Sequence, residues 1–393
     1  MQEIKNNIFS VGANDPDRKF FDTLIPLPFG TSYNSYVVKG SLKTALIDTV
    51  DPEKSQVLLD NLAAARVDRL DYIVVNHAEQ DHSGSLPLIL EKYPEATILC
   101  SDKCQGALAD LLHISGSRVQ VVKDKDTINL GDKTLEFIYT PWVHWAETMV
   151  TYLKEDKILF SCDFFGAHLA ADDLLVFDKY RLEHAVKIYF AEIMMPFRLM
   201  IKSNLAKLES YPIDMIAPSH GPIHSDVGAV LGSYRNWIAD ESVKNLAVVA
   251  YISMHGSTKM LADRLKESLE KNGVEVRFYD ISKMDIGELA VDMVDAATFV
   301  IGTPCLLGGI HPGAANLLYL ANALRPKTRF VSVIGSYGWS GGMAEAAALM
   351  IKNLKVEVIS PVIVKGMPSE DDLKNIDKLA QGIAQKHKEL NHI

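Results

Sequence analysis

Cysteine is scarce in this sequence, and no two cysteines have the spacing of a metal-binding pair. The 393 residues include 4 cysteines, and none of them forms a C-x-x-C pair. This argues against a disulfide framework and against a tetrathiolate iron or zinc site within the chain. We expect the four to be small, buried, apolar residues: Cys100, Cys104, Cys162 and Cys305.

Long apolar runs and basic clusters are also missing. No apolar run reaches the roughly 18 residues of a membrane-spanning helix, and residues 1–10 lack the charged-then-apolar layout of a signal peptide. The sequence therefore predicts a cytoplasmic protein that does not enter a membrane. No block of Lys and Arg suited to a phosphate backbone is present, and the net charge is −10, so we do not expect nucleic acid as a partner.

The remaining composition is that of an ordinary globular protein with room for two domains. Hydrophobic residues make up 48% and charged residues 23% of the chain. Short β-like runs, turns and helices alternate at first, whereas the regular strand-helix alternation from residue 245 predicts a doubly wound parallel sheet. We therefore predict domains at 1–244 and 245–393.

The expected strands are 44–50, 71–75, 96–100, 135–139, 157–160, 214–217, 246–252, 274–279, 298–302, 329–335 and 356–364, and the expected helices include 53–65, 104–112, 228–244 and 259–271.

One segment, N-H-A-E-Q-D-H-S-G-S at residues 76–85, concentrates metal-binding side chains directly after an apolar strand. Strand alternation would point His77, Glu79 and Asp81 the same way, and His82 follows them. An imidazole and two carboxylates in one pocket are unstable without a cation to neutralise them. The segment therefore predicts a metal site, and the alternative is a solvated loop whose charges happen to cluster.

Three further candidate ligands each follow a predicted strand. His144 lies in T-P-W-V-H-W-A-E-T, Asp163 in L-F-S-C-D-F-F-G and His220 in I-A-P-S-H-G-P. A histidine taken alone is more often an ordinary core or loop residue. Together with the first segment, these residues can form two sites: His77, Glu79, His144 and Asp163 in one, and Asp81, His82, His220 and the other oxygen of Asp163 in the second. Two divalent ions would balance the three carboxylates and leave room for one bridging hydroxide.

The pattern H-x-E-x-D-H, followed by separate His, Asp and His residues, resembles the metallo-β-lactamase fold. This resemblance implies an αββα sandwich for the first domain. Zinc hydrolases of that fold usually show H-x-H-x-D-H, and Glu79 stands here in place of the second histidine. A carboxylate hardens the site and favours a redox ion such as iron, although ligand type alone does not exclude zinc.

The second domain has three loops at the carboxyl ends of predicted strands, where a doubly wound sheet binds its ligands. Backbone N–H groups and hydroxyls of S-M-H-G-S-T could hold a phosphate, although an ordinary N-capped turn is an alternative. Tyr337 and Trp339 could lie against a flat ring. The three loops resemble those of flavodoxin and imply FMN, with candidate residues Ser253, Met254, His255, Gly256, Ser257, Thr258, Thr303, Pro304, Cys305, Leu306, Gly308, Ser336, Tyr337, Gly338, Trp339 and Gly341.

A metallo-β-lactamase-like domain with H-x-E-x-D-H, fused to a flavodoxin-like domain, resembles the flavodiiron proteins over essentially the whole chain. The resemblance implies FMN and two iron ions in a non-haem diiron centre that reduces dioxygen to water or nitric oxide to nitrous oxide. It also implies a head-to-tail homodimer, or a dimer of dimers, with the flavin of one subunit beside the iron pair of the other. Because no C-x-x-C pair is present, electrons should come from a separate donor, such as a rubredoxin-like protein or a reduced deazaflavin.

Some positions and two other functions stay open at this point. His168 and Tyr189 are candidate pocket residues that could hydrogen-bond a bound intermediate, or they could be structural. His224 could compete with His220 or support it, and ligation by the histidine at the position of His82 varies in the family. The alternatives are a zinc-dependent hydrolase with a flavodoxin domain, which metal analysis would identify, and a non-enzymatic flavin electron carrier or gas sensor, which would consume neither gas.

Overall fold

The computed structural model describes residues 1–175 and 178–390. Contacts within the chain divide it into two compact units: Met1–Phe190 with Phe197–Arg235, and Ala191–Pro196 with the chain from Asn236 onward. The domain limits 1–244 and 245–393 differ slightly from this division and stay a prediction. None of the helices in the described ranges combines the length and the apolar character needed to cross a bilayer.

The first unit contains sixteen strands and seven α-helices in the part of the chain that is described. The strands are β1 (Gln2–Lys5), β2 (Ile8–Ser10), β3 (Ala13–Asp15), β4 (Phe20–Phe21), β5 (Ile25–Pro26), β6 (Thr31–Tyr33), β7 (Tyr36–Lys39), β8 (Thr44–Ile47), β9 (Tyr72–Val74), β10 (Thr97–Cys100), β11 (Val119–Val121), β12 (Thr127–Asn129), β13 (Thr134–Tyr139), β14 (Met149–Leu153), β15 (Ile158–Cys162) and β16 (Met215–Pro218). The helices are α1 (Ser55–Ala64), α2 (Gln80–Ser83), α3 (Leu86–Lys92), α4 (Asp102–Leu112), α5 (Lys179–Tyr189), α6 (Arg198–Leu208) and α7 (Val227–Ile238), and short 3-10 helices span Pro52–Lys54 and Gly116–Arg118. A further 3-10 helix, Met195–Phe197, lies at a chain limit between the two units.

These strands form two main sheets. The seven-stranded sheet has the order β1-β2-β7-β8-β9-β10-β11, and the five-stranded sheet has the order β12-β13-β14-β15-β16. Strands β8 to β11 run parallel, whereas β12 to β15 are antiparallel and β16 is parallel to β15. The strands β3 and β6 form a separate pair, and β4 and β5 form another.

Alternation along the strands builds two cores in this unit. On β8, Ala45 and Ile47 join a core with Phe137 and Phe160 of the other sheet. Leu46 points to the opposite side, into a core that includes residues of α1, α3 and α4. Helix α6 lies beside the end of β13 in the five-stranded sheet, because its Lys207 donates to the Tyr139 carbonyl at 2.8 Å and its Asn204 to the Pro141 carbonyl at 3.0 Å. The first unit is therefore the predicted αββα sandwich.

The second unit is a doubly wound parallel sheet, as predicted. Its strands are β17 (Lys244–Tyr251), β18 (Glu275–Asp280), β19 (Ala296–Leu306), β20 (Gly309–Ile310), β21 (Phe330–Tyr337), β22 (Glu357–Val358) and β23 (Val362–Lys365), and its helices are α8 (Ser257–Lys271), α9 (Ile286–Met293), α10 (Pro312–Leu324), α11 (Met343–Met350) and α12 (Glu370–Glu389), besides the π-helical turn Phe190–Met194 and the 3-10 helix Asp240–Ser242. The parallel order is β18-β17-β19-β21-β22, with β23 also beside β21. Cores with α9, α10 and α11 on one face and α8 and α12 on the other cover the sheet.

Two expected elements differ from the structure. The strand expected at 356–364 is two short strands with Pro361 between them. Proline interrupts the strand because it has no N–H to donate to a neighbouring strand. The helix expected at 228–244 ends at Ile238, and β17 begins at Lys244. Ala239 is extended and Asp240–Ser242 form a separate 3-10 helix, so the α-helix stops before the strand, whose buried run begins at Leu246.

Candidate metal centre and flavin-binding loops

The seven predicted metal ligands leave the ends of strands in both sheets of the first unit. Strand β9 belongs to the seven-stranded sheet, whereas β13, β15 and β16, which precede the other ligands, belong to the five-stranded sheet. His77 and Glu79 follow β9, Asp81 and His82 lie in α2, His144 lies between β13 and β14, Asp163 follows β15, and His220 follows β16. The structure brings all seven side chains together in two adjacent groups.

The first group contains His77, Glu79, His144 and Asp163. The Nε2 atom of His77 lies 3.0 Å from Glu79 Oε2, and the Nε2 atom of His144 lies 3.2 Å from the same oxygen. His144 Nε2 is also 3.2 Å from Asp163 Oδ2. Two imidazoles and two carboxylates therefore present one atom each to a common point.

The second group contains Asp81, His82 and His220, together with Asp163. The Nε2 atoms of His82 and His220 lie 3.1 Å and 3.3 Å from Asp163 Oδ1. His220 Nε2 is 3.1 Å from Asp81 Oδ2. Asp163 thus turns one oxygen to each group, which is the geometry of a carboxylate that bridges two metal ions.

Several of these buried atoms have no hydrogen-bond partner, although they lie close to one another. They include both carboxylate oxygens of Asp81, Nε2 of His82, Oδ2 of Asp163 and Nε2 of His220. Buried polar atoms are nearly always hydrogen-bonded, so orphaned donors and acceptors that converge call for another partner. The mixed nitrogen and oxygen donors suit a divalent transition metal such as iron or zinc. The residues present therefore fit two metal ions.

The charges within the two groups couple strongly. Burial alone would raise the pKa of Asp163, but His82, His144 and His220 outweigh burial and hold that pKa well below its usual value. Burial alone would lower the pKa of His220, but Asp163 and Asp81 raise it to about 10. In the same way, Asp163 and Glu79 overcome burial and raise the pKa of His144 to about 9. The imidazoles balance the carboxylates with protons when no ion does so, and ions would displace those protons.

Groups outside the seven ligands orient two of the imidazoles. His77 donates from Nδ1 to Glu147 Oε1 at 2.7 Å, and His220 donates from Nδ1 to the Ser32 carbonyl at 2.7 Å. Each contact uses Nδ1, so Nε2 is the nitrogen that faces the metal position of its own group. The sequence did not identify Glu147 as a site residue. Its position in W-A-E-T, three residues after His144, was the only signal.

The two predicted pocket residues lie beside the second group. The Tyr189 hydroxyl donates to Asp163 Oδ1 at 2.9 Å, and the ring of His168 is 4.9 Å from the ring of Tyr189. His168 Nδ1 lies 3.0 Å from Thr31 Oγ1, while its buried Nε2 has no hydrogen-bond partner. Burial, followed by the charge of His220, lowers the pKa of His168, so this imidazole is neutral.

His224 and the β4–β5 hairpin also lie near the two groups. His224 donates from Nε2 to the Phe165 carbonyl at 2.8 Å, so that this nitrogen is bound to the main chain. Phe21 of the hairpin packs its ring 4.8 Å from that of His168. Burial raises the pKa of the next residue, Asp22, and Glu79 and Asp81 raise it further. Asp22 could not be predicted as a site residue, because no motif marks the hairpin.

In the second unit, the predicted phosphate loop connects β17 to α8. Gly256 caps α8 with a φ of +91°, a conformation that favours glycine. The Ser253 hydroxyl accepts hydrogen bonds from the Gly256 and Lys259 N–H groups at 3.1 Å and 3.3 Å. Thr258 Oγ1 lies 3.3 Å from Ser336 Oγ, which joins this loop to the one after β21. Met254, His255 and Ser257 lie on the same loop.

The other two predicted loops also meet. A β-carbon on Gly308 would lie 3.4 Å from the Trp339 ring, so these two loops are in close contact. Trp339 is 78% exposed and Leu307 is 91% exposed, which leaves a flat aromatic surface available to a ligand. The remaining predicted residues lie on these loops or the strand ends beside them: Thr303, Pro304, Cys305, Leu306, Tyr337, Gly338 and Gly341.

Each of the two units matches the model of a known protein family. A family model described as ODP family beta lactamase matches residues 31–221, and a model described as flavodoxin matches residues 249–376. The first match contains all seven predicted metal ligands. The second contains the three predicted flavin loops.

Individual relatives match over nearly the full length. A nitric oxide reductase of Moorella thermoacetica is 34% identical over 394 residues, covering 98% of this chain and 98% of the relative. A flavo-diiron protein of Clostridium acetobutylicum is 32% identical over 396 residues, again covering 98% of each chain. Among solved structures, the rubredoxin oxygen:oxidoreductase of Desulfovibrio gigas is 30% identical with a TM-score of 0.95 and covers 100% of both chains. The similarity therefore extends across both units.

Proposed function

The chain belongs to the flavodiiron protein family, and from this premise we propose that it reduces dioxygen to water, nitric oxide to nitrous oxide, or both. It is an oxidoreductase, as relatives over its full length are. The proposal extends to the cofactors, which would be FMN on the loops of the second unit and two iron ions at the two groups of the first.

One observation carries the proposal: two groups of metal-binding side chains share a single carboxylate, Asp163, in a chain that also has flavodoxin loops. A hydrolase needs a metal but no flavin, and an electron carrier needs a flavin but no paired metal site. Bound together, two irons and FMN would supply the four electrons that convert dioxygen to two waters, or the two that join two nitric oxide molecules.

Residues of the chain have distinct proposed roles around that pair. Asp163 would hold both ions, and the Tyr189 hydroxyl, which donates to it at 2.9 Å, would fix its orientation. Burial, and then the charge of Asp163, raises the pKa of Tyr189, so the hydroxyl stays protonated. Neutral His168 has a free Nε2 beside this tyrosine and could hydrogen-bond a substrate atom. His168 and Tyr189 are the proposed pocket residues, and His224 is proposed to be structural.

Electrons are proposed to arrive from an external donor, since a full-length relative is named rubredoxin oxygen:oxidoreductase. The family suggests either a rubredoxin-like protein or a reduced deazaflavin. We also propose the head-to-tail homodimer, which would place the flavin of one subunit beside the metal pair of the other. Sedimentation of the purified protein would test the dimer, since a monomer with full activity contradicts it.

Metal and flavin analysis combined with gas consumption tests the main proposal. We expect about two irons and one FMN per chain, and rapid reoxidation by at least one gas after anaerobic reduction. Replacing Glu79 or Asp163 by alanine should slow that turnover strongly, whereas the exposed Glu91→Ala control should not. Bound zinc without gas consumption would instead favour a hydrolase, and bound FMN without gas consumption would favour an electron carrier.

A further inference from the structure

The carboxylate of Glu147 acts on only one of the two metal positions. We propose that Glu147 is a positioning residue that makes the two positions unequal, so that the ion beside His77 and His144 binds more tightly than the ion beside His82 and His220. The inference rests on the proposed function in one respect, which is that both groups of side chains bind a metal ion.

The ligand sets themselves do not distinguish the two positions. Each position has two imidazoles, one carboxylate of its own and one oxygen of Asp163. The direct donors are therefore equal in number, type and charge. Any large difference in affinity has to come from the groups that contact the ligands from outside.

Glu147 is firmly held against the first position. Its Oε1 accepts from His77 Nδ1 at 2.7 Å and from the Ala78 N–H at 3.3 Å. The Ser101 hydroxyl donates to the main-chain carbonyl of Glu147 at 2.7 Å, and the residue is 6% exposed. A carboxylate behind a metal-binding imidazole fixes its tautomer and increases its basicity. This charge-assisted contact therefore strengthens His77 as a ligand.

The second position lacks such a contact among the described residues. His220 Nδ1 donates to the neutral carbonyl of Ser32, and the buried Nδ1 of His82 has no hydrogen-bond partner. Asp48 is a buried carboxyl group close enough to His82 to interact with its charge, but its two oxygens accept from the main-chain N–H and the side-chain amide of Asn76 at 2.7 Å and 2.9 Å. Within the described ranges, a carboxylate that is hydrogen-bonded to the outer nitrogen of a ligand imidazole is thus found at the first position only.

A substitution can separate the charge of Glu147 from its geometry. In Glu147→Gln, the amide oxygen can still accept from His77, so orientation is kept while the negative charge is lost. In Glu147→Ala both are lost. Glu136→Gln is a matched control, because Glu136 is also a buried glutamate of the first unit but is bound to Lys154 and Tyr211.

The test is a zinc titration of the metal-free, FMN-loaded full chain against a competing chelator. We expect two binding steps in the parent, with one of them weakened about 10- to 100-fold in Glu147→Gln and the other unchanged. The Glu136→Gln control should titrate like the parent. His220→Ala and His144→Ala assign the steps, since Glu147→Gln should weaken the zinc that remains in the His220→Ala background and not the zinc that remains in the His144→Ala background.

Two results would overturn the inference: a Glu147→Gln isotherm equal to that of the parent, even if Glu147→Ala binds poorly, or an equal loss in both steps. Should Glu147→Gln fail to retain FMN and native circular dichroism, Glu147→Asp replaces it: the charge is kept but the shorter side chain withdraws the carboxylate from His77 Nδ1, so the same single step should weaken, and two unchanged steps would overturn the inference. Zinc binding involves neither redox chemistry nor a gas. A protein with two unequal zinc steps but no gas consumption would refute the proposed function and leave this inference standing.

Discussion

Replacing Glu192 by glutamine should make the second unit less sensitive to alkaline pH. Both carboxyl oxygens of Glu192 are buried without a hydrogen-bond partner. The group lies beside Gly287 in the first turn of α9, but the Gly287 N–H already donates to Asp285 at 2.8 Å. Burial, followed by the charges of Asp285 and Glu288, raises the pKa of Glu192 from 4.5 to about 8.

The sign and size of the effect follow from this shift. Because the folded chain holds the proton of Glu192 more tightly than the unfolded chain, its contribution to stability is full below pH 4.5 and is lost as the pH rises toward 8. Each pH unit in that window costs about 1.4 kcal/mol, which gives an upper limit of about 5 kcal/mol above pH 8. Rearrangement around the charge reduces this, so we expect about 2–5 kcal/mol.

Urea unfolding of the parent and of Glu192→Gln at pH 5, 7 and 9 would measure the effect by circular dichroism. The two free energies of unfolding should be close at pH 5, and the variant should be more stable by about 2–5 kcal/mol at pH 9. The exposed Glu267→Gln serves as a control and should follow the parent at every pH. Parallel curves for the parent and Glu192→Gln would refute a raised pKa at this position.

Three further outcomes test the two sites. Asp163→Asn should reduce metal content at both positions together, since one oxygen faces each group, and loss of only one ion by elemental analysis would contradict a bridging role. Tyr189→Phe removes a buried hydrogen bond to a carboxylate worth about 1.5–3 kcal/mol, so gas turnover should fall roughly 10- to 150-fold at unchanged FMN content, and unaltered stopped-flow rates would make Tyr189 structural. Ser253→Ala should weaken FMN binding about 10-fold in a fluorescence titration by loosening the loop before α8, while an unchanged dissociation constant would remove that loop from the flavin site.

The ligands could be predicted because most of them lie in short segments that follow strands, although Asp81 and His82 lie in helix α2. His144, Asp163 and His220 are far apart in the chain, yet the strands before them belong to one sheet, so their ends bring the side chains together. The strand and helix periods were also readable, since nearly every core strand is buried on both faces or alternates regularly. Fold class and the clustering of the seven residues were therefore within reach of sequence reasoning.

Contacts that depend on tertiary packing could not be predicted from the sequence. Glu147 is an ordinary glutamate in the chain, and its role appears only when β14 brings it behind His77. Glu192 looks like any helical surface residue until the π-helical turn buries it beside α9. Pro361 divides the run of Val and Ile at 356–364, which the strand prediction treated as continuous. Neither spacing nor hydrophobic period encodes such long-range neighbours.

The ligands come from both sheets of the first unit, with His77 and Glu79 on one and His144, Asp163 and His220 on the other. Ions bound between them would act as a cross-link that fastens the two layers of the sandwich at one rim. The attachment of the two sheets at this rim and the redox chemistry of the ions would then depend on the same metal–ligand bonds. Loss of the ions would remove this cross-link, so the two sheets should open more easily at this rim than in the apolar core between them.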